Sequence, residues 1–279
     1  MREQPILQVK NLQKKFGEGC QHCLDPEIRQ LEKNFCPYCG TIYAVHDVSF
    51  DLYPGEVLGV VGESGSGKST MLQGLYFDIE LAAGEVYINE PMLASQNVLT
   101  LSSQQKRYIR NYIYGMVYQN PLDGLKMKFS SIGNIAEKMI AAGSRNVGNI
   151  EARSKALLED VHIPLRRMKE EPRNFSGGMQ QRVQIAKALS NNPPILFLDE
   201  VTTGLDLSVQ ASVLDLIKQI QRELHISMIV VSHDLAVIRM LADRSIVMLN
   251  GTIIENGLTD QILEDPQHEY TQQLVYSLL

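Results

Sequence analysis

The chain has 279 residues, 44% of them hydrophobic, with Gly 20 and Pro 11 near ordinary usage; this globular composition excludes disordered and collagen-like classes. Lys and Arg number 26 against 32 Asp and Glu, a formal net charge of -6, so no global charge draws the molecule onto nucleic acid or an anionic membrane. No apolar run approaches the ~20 residues that span a bilayer. The opening Met1-Arg2-Glu3-Gln4-Pro5 lacks an apolar signal core, which predicts a cytoplasmic protein.

The first distinctive segment is 17–42, which holds every cysteine of the chain. Cys20-Gln21-His22-Cys23 and Cys36-Pro37-Tyr38-Cys39 form CxxC-x12-CxxC, a spacing suited to four thiolates around one tetrahedral ion. Zn2+ is the first choice, with an iron-sulfur centre and redox-active thiols as alternatives. Four thiolates leave Zn2+ no open position, so its role is expected to be structural, in a small metal-held insertion that shapes a docking surface. The charged middle, Asp25 to Lys33, predicts a short exposed helix.

An apolar run, Val57 to Val61, reads as a buried strand and is followed by a helical pattern over Lys68 to Phe77. Between them Gly62-Glu63-Ser64-Gly65-Ser66-Gly67-Lys68-Ser69 fits GxxxxGK[ST], with Thr70 next in the opening turn of the helix. The glycines let successive amides converge on phosphate oxygens at a helix N-terminus. Lys68 is expected to bridge the β- and γ-phosphates, and Ser69 to offer Mg2+ a hydroxyl oxygen. The loop alone leaves ATP and GTP open; the lack of an Asn-Lys-x-Asp base-reading motif favours ATP.

Residues 101–174 change character, with amphipathic segments at Asn134 to Ala142 and Ile150 to Val161 and hardly a strand-like run, which predicts an inserted helical subdomain. Beyond it, Phe175-Ser176-Gly177-Gly178 precedes a helical pattern over Met179 to Leu189, with Ser176 placed to cap it. Strand runs at Ile195 to Leu198, Met228 to Val231 and Ile246 to Leu249 alternate with helical runs at Ser208 to Leu224 and Leu235 to Leu241, the order of a parallel α/β sheet. The first of these strands ends in Asp199-Glu200. Neighbouring strand residues face opposite ways, so Asp199 is assigned to Mg2+ through water and Glu200 to the attacking water as general base. A closing helix is expected after Glu264-Asp265-Pro266.

Taken in order, these motifs resemble the ATP-binding cassette (ABC) family over nearly the whole chain. The resemblance implies one α/β P-loop nucleotide-binding domain over 1–279, carrying the helical subdomain and the small four-cysteine metal-binding insertion, that hydrolyses ATP with Mg2+. It makes Ser176, Gly177 and Gly178 the signature loop that caps the γ-phosphate bound to a second subunit. It also makes Gln119 the Q-loop residue near Mg2+ and the attacking water, Asp206 the D-loop acid at the dimer interface, and His233 the switch histidine on the γ-phosphate. Phe16 and Tyr43 are both candidates to stack on adenine, with Tyr43 preferred. Two positions depart from the pattern: Met179 stands where Gln is usual, and Val201 where Pro commonly follows the catalytic Glu, a loss expected to loosen the Glu200 loop.

Within the family, Gln119 to Leu125, Gly133 to Glu137 and Ile163-Pro164 resemble the ATP-binding subunits of phosphonate carbon-phosphorus lyase systems. The tail Asp265 to Thr271 resembles one that these share with peptide importers. The implied function is a homodimer, or a pairing with a second ABC ATPase, that drives conformational change in a carbon-phosphorus lyase core complex. The alternative is the ATPase of an importer for peptides, nickel or phosphonates, held to membrane permease subunits. A DNA-damage ATPase is a third reading, but the acidic chain offers no basic stripe, and no nucleic-acid partner is expected.

Overall fold

A computed structural model of the chain describes residues 4–25, 31–93 and 95–276. Its strands are β1 (Leu7–Phe16), β2 (Ile42–Leu52), β3 (Val57–Val61), β4 (Ala83–Ile88), β5 (Tyr114–Val117), β6 (Ile195–Asp199), β7 (Ser227–Ser232), β8 (Arg244–Leu249) and β9 (Thr252–Leu258). Its α-helices are α1 (Gln21–Leu24), α2 (Lys68–Leu75), α3 (Ser103–Tyr108), α4 (Pro121–Gly124), α5 (Ser131–Ala141), α6 (Val147–Asp160), α7 (Gly177–Ala188), α8 (Leu207–Leu224), α9 (Leu235–Leu241), α10 (Thr259–Glu264) and α11 (Glu269–Tyr276). They fall into two compact units, Met1–Leu101 with Val231–Leu279, and Ser102–Val230.

In the first unit, β1 lies between β2 and β4 in an antiparallel sheet, with Leu7 opposite both Leu52 and Ile88. Leu7, Val9 and Leu12 are buried, but the alternation is broken by register shifts, and Asn11 and Asp47 sit at positive φ. A second set pairs β3 parallel to β8, and β8 antiparallel to β9. All five residues of β3 are buried, the reason it reads as an unbroken apolar run. β1 ends at Phe16 and β2 begins at Ile42, and these two residues are paired, so the cysteine segment is the tip of a β-hairpin. Of the helix expected over Asp25 to Lys33, residues 26–30 lie outside the described residues. Its end is a turn instead: Glu32 and Phe35 bond each other's backbones at 2.8 and 3.0 Å, with Lys33 at φ 59°.

In the second unit, β5 runs parallel to β6, with Met116 opposite Phe197 and the Tyr114 and Phe197 rings 4.8 Å apart. β7 lies beside β6. Within 101–174, where the sequence shows hardly a strand-like run, β5 is a strand: Tyr-Gly-Met-Val is four residues long with a glycine inside, too short for a period to show. Helices α5 and α6 pack against α7 and against each other. The buried face of α8 is Val213, Leu214, Leu216, Ile217 and Ile220, an i, i+3, i+4 stripe, and Asp206 caps its N-terminus.

Candidate nucleotide and metal sites

The phosphate loop leaves β3 at Gly62 and enters α2 at Lys68. Lys68 is 4% exposed, and its Nζ donates to the carbonyls of Gly62 and Glu63, each at 2.8 Å, with Ser66 Oγ at 3.5 Å. The ammonium is therefore held inside the turn of the loop. Gly67 stands at φ 103°, and a Cβ there would collide with the Ala44 carbonyl oxygen; a Cβ on Gly62 would collide with that of Met248. Only glycine fits either place. The loop is braced from outside as well: Gly251 N donates to the Ser66 carbonyl at 3.0 Å, and Glu63 N donates to the Tyr270 hydroxyl at 2.8 Å.

His233 is exposed in the same unit, in the turn between β7 and α9. Asp234 N donates to Ser232 Oγ at 3.0 Å, and the Asp234 carboxylate accepts from Ala236 N at 2.8 Å, which fixes the turn that presents the imidazole.

The four cysteine sulfurs all lie within 4.8 Å of one another. Cys20 and Cys23 are 3.9 Å apart, Cys20 and Cys36 3.8 Å, and Cys23 and Cys39 3.7 Å. Four thiolates about 2.3 Å from a single ion, at tetrahedral corners, sit about 3.8 Å apart, so the donor set fits one Zn2+-sized ion. A two- or four-iron cluster gives its thiolates different irons and spreads them further. Thr41 is buried, accepts from Gly19 N at 3.1 Å, and places its hydroxyl 3.2 Å from Cys39 Sγ. That hydroxyl, with the Thr41 amide, draws the Cys39 thiol down to about 6, toward the thiolate that metals bind.

Tyr43 belongs to this cluster. It is 9% exposed, packs with Cys23 and Cys36, and its hydroxyl donates to the Cys23 carbonyl at 2.8 Å. Phe16 is 47% exposed, with Lys14 Nζ 4.9 Å above its ring. Of the two aromatic candidates, it is Phe16 whose ring is open to a ligand.

The second unit carries the remaining motif residues. Asp199 is buried at the end of β6 and Glu200 follows it at φ 44°, a left-handed conformation that side chains other than glycine rarely adopt. The Glu200 carboxylate accepts from Gln119 Nε2 at 2.9 Å and from Thr203 Oγ1 at 3.1 Å, so the structure brings the Q-loop glutamine and the proposed base into contact. Val201 does not leave this loop loose: it is 2% exposed, and its carbonyl accepts from Gln181 Nε2 at 3.1 Å. Ser176 stands at the N-cap of α7, followed by Gly177 and Gly178, but among the described residues its hydroxyl makes no capping hydrogen bond. The Asp206 carboxylate is committed to its own helix, accepting from Val209 N at 3.0 Å and Ser208 Oγ at 2.8 Å; the Val209 amide first, then the Ser208 hydroxyl, hold it below the usual carboxylate range.

Sequence reasoning misses two residues of α7. Gln184 Oε1 accepts from Tyr118 N at 2.7 Å while its Nε2 donates to the Tyr118 carbonyl at 3.1 Å and to Gln181 Oε1 at 2.7 Å. Gln181 and Gln184 are both almost wholly buried, and together they tie the residue before Gln119 to the residue after Glu200. The one available signal is their i, i+3 spacing on a helix that packs between others. Tyr270 likewise reads in the sequence only as part of a tail.

Residues 45–203 match the family described as ABC transporter. The chain is 43% identical over 276 residues, 99% of its length and 98% of the relative's, to the phosphonates utilization ATP-binding protein PhnK of Escherichia coli (strain K12). It is 37% identical to the oligopeptide transport ATP-binding protein OppD of Bacillus subtilis (strain 168), over 90% of this chain and 71% of that one. A dimeric post-hydrolysis structure of the ATP-binding cassette MJ0796 bound to ADP and Pi superimposes with a TM-score of 0.75 at 28% identity, covering 91% of this chain and 98% of that one.

Proposed function

The chain belongs to the ABC transporter family and is an ATP-hydrolysing cassette, and on that basis we propose that it dimerises around two ATP molecules and drives a conformational cycle in a phosphonate-cleaving carbon-phosphorus lyase complex. The observation that carries the partner assignment is the end-to-end similarity to a phosphonates utilization protein, 43% over 99% of the chain. Among the described residues no helix is long and apolar enough to cross a membrane.

The residues divide the work as follows. The Gly62 to Thr70 amides and Lys68 receive the phosphates, and Ser69, Asp199 and Gln119 complete the surroundings of Mg2+, which supplies charge neutralisation on the phosphates when bound. Glu200 accepts the proton of the attacking water, and Gln119 positions that carboxylate. Ser176, Gly177 and Gly178, with a hydroxyl uncommitted to its helix, cap the phosphate held by the opposite subunit, and Asp206 stiffens the loop at the dimer face. His233 reports on the terminal phosphate. Phe16, in place of Tyr43, stacks on adenine, because the Tyr43 ring is enclosed by the cysteines. Zn2+ on Cys20, Cys23, Cys36 and Cys39 staples the hairpin tip. Exposed Leu122 and Phe129, just after Gln119, give the partner an apolar foothold.

A second reading, an importer ATPase gripping membrane permeases, is favoured by the 37% identity to OppD. Affinity purification from cells separates the two. Recovery of a soluble lyase assembly is the expected result; recovery of permeases overturns it.

A further inference from the structure

We propose that the cysteine knuckle is the fastening of the base-binding edge of the nucleotide site: an ion on Cys20, Cys23, Cys36 and Cys39 fixes, through Tyr43 and Thr41, the strand ends that carry Phe16, so that metal loading sets affinity for the base of a nucleotide and leaves the grip on its phosphates. The inference rests on the reading of the four cysteines as metal ligands and of Phe16 as the adenine platform.

The knuckle is not hung on a free linker. It leaves β1 at Phe16 and re-enters β2 at Ile42, residues paired across the mouth of the hairpin. At that mouth Gly17 takes φ 112°, and a Cβ there would lie 2.6 Å from Thr41 Oγ1, so the two sides of the knuckle close tightly on each other. Cys36 N donates to the Thr41 carbonyl at 2.9 Å and Tyr43 N to the Asn34 carbonyl at 2.7 Å, which carries the cysteine-bearing backbone directly onto the first residues of β2. The Tyr43 hydroxyl then reaches the carbonyl of Cys23 from the opposite CxxC. One side chain thus spans from the strand to the first pair of sulfurs while the backbone binds it to the second.

The same stretch abuts the phosphate loop. The Ala44 carbonyl crowds the place where Gly67 can have no Cβ, and the Tyr43 carbonyl oxygen lies 2.5 Å from where a Cβ on Gly251 would be, the residue whose amide holds Ser66. His46 N donates to the Gly251 carbonyl at 2.7 Å. The phosphate loop also draws support from the turn between β8 and β9, where Gly251 N donates to the Ser66 carbonyl, and from α11, where the Tyr270 hydroxyl accepts from Glu63 N, whereas the exposed Phe16 ring has the hairpin mouth and the Lys14 ammonium above it. Loss of the ion frees the sulfurs and loosens Cys23, and with it the Tyr43 hydroxyl bond, beside the hairpin mouth that carries Phe16. A peptide segment this short has too little apolar area to stay folded without its staple.

The test is calorimetric titration of the full-length chain with Mg-ADP and with magnesium pyrophosphate, in the metal-loaded state, after stripping by a chelator under reducing conditions, and in Tyr43→Phe. Stripping is expected to weaken ADP about ten-fold, within the worth of one base-aromatic stack, and to leave pyrophosphate within about two-fold. Tyr43→Phe, loaded with Co2+ to read thiolate coordination by its charge-transfer absorption, is expected to keep the metal and still lose ADP affinity several-fold. Unchanged ADP affinity in stripped protein or in Tyr43→Phe overturns the fastening while the metal site stands. Equal losses for ADP and pyrophosphate also overturn it, since the effect would not lie at the base. Absence of stoichiometric metal, with all four thiols open to a thiol reagent, overturns the metal reading and the fastening together.

Discussion

The Tyr270 hydroxyl accepts the Glu63 amide at 2.8 Å across 207 residues of sequence, joining the last helix to the phosphate loop. The helix is itself anchored: Glu255 on β9 accepts from Gln267 N at 2.8 Å and His268 N at 3.1 Å, and His268 Nδ1 accepts from Tyr270 N at 3.1 Å. Glu63 also supplies one of the two carbonyls that hold Lys68. Tyr270→Phe is therefore expected to raise the KM for ATP about three- to ten-fold, the net worth of one neutral hydrogen bond, with kcat within about two-fold. Steady-state ATPase assays measure both, and a wild-type KM would show that the strut is idle.

Lys68 and Glu200 should fail in different ways. Lys68→Ala removes the cation enclosed by the loop and is expected to abolish measurable nucleotide binding in a calorimeter. Glu200→Gln should bind ATP, lose at least about a hundred-fold in turnover, and accumulate a dimer in gel filtration with Mg-ATP. Full turnover by Glu200→Gln would remove it as the base.

Gln184→Leu removes the Gln184 acceptor of the Tyr118 amide and one of two side-chain donors to its carbonyl, the other being Gln181, at a half-buried position. A loss of about 2 to 3 kcal/mol in unfolding free energy is expected, together with slower hydrolysis as the Gln119 loop drifts from Glu200. Urea denaturation and turnover are the measurements; an unshifted midpoint refutes the tie.

Lys138 provides a pH signature. Burial, with the nearby Lys187 and Arg110 charges, lowers its pKa to about 7, while its Nζ donates to the Tyr114 carbonyl at 2.9 Å. Below pH 7 the ammonium is charged in both folded and unfolded chains and the penalty is fully present. From about pH 7 to about pH 10 only the unfolded chain holds the proton, so stability rises with pH, by at most ~1.4 kcal/mol per unit. Lys138→Met should flatten that slope in denaturant titrations between pH 7 and pH 10; an identical slope would assign it to other groups.

What is legible in the sequence is local. The phosphate loop, the β6 run ending in Asp199-Glu200, and α8 and α9 rest on spacing and period within one element, and each lies where its pattern puts it. The antiparallel strands β1 and β2 escape because register shifts and left-handed residues break their alternation. The difference between Tyr43 and Phe16 is not legible because an aromatic near a strand end reads alike whichever way it faces; only the fold encloses one and exposes the other. Gln181 and Gln184 escape for a similar reason, since their worth lies in backbone groups 20 to 66 residues away, Tyr118 above all.

The pairing of Phe16 with Ile42 makes the cysteine module a detachable accessory: both of its ends meet at neighbouring rungs, so removing it asks of the chain only a tight reverse turn. A shortened protein carrying Asn-Gly between those strand ends would replace the cysteine segment with a closure written into the covalent chain alone.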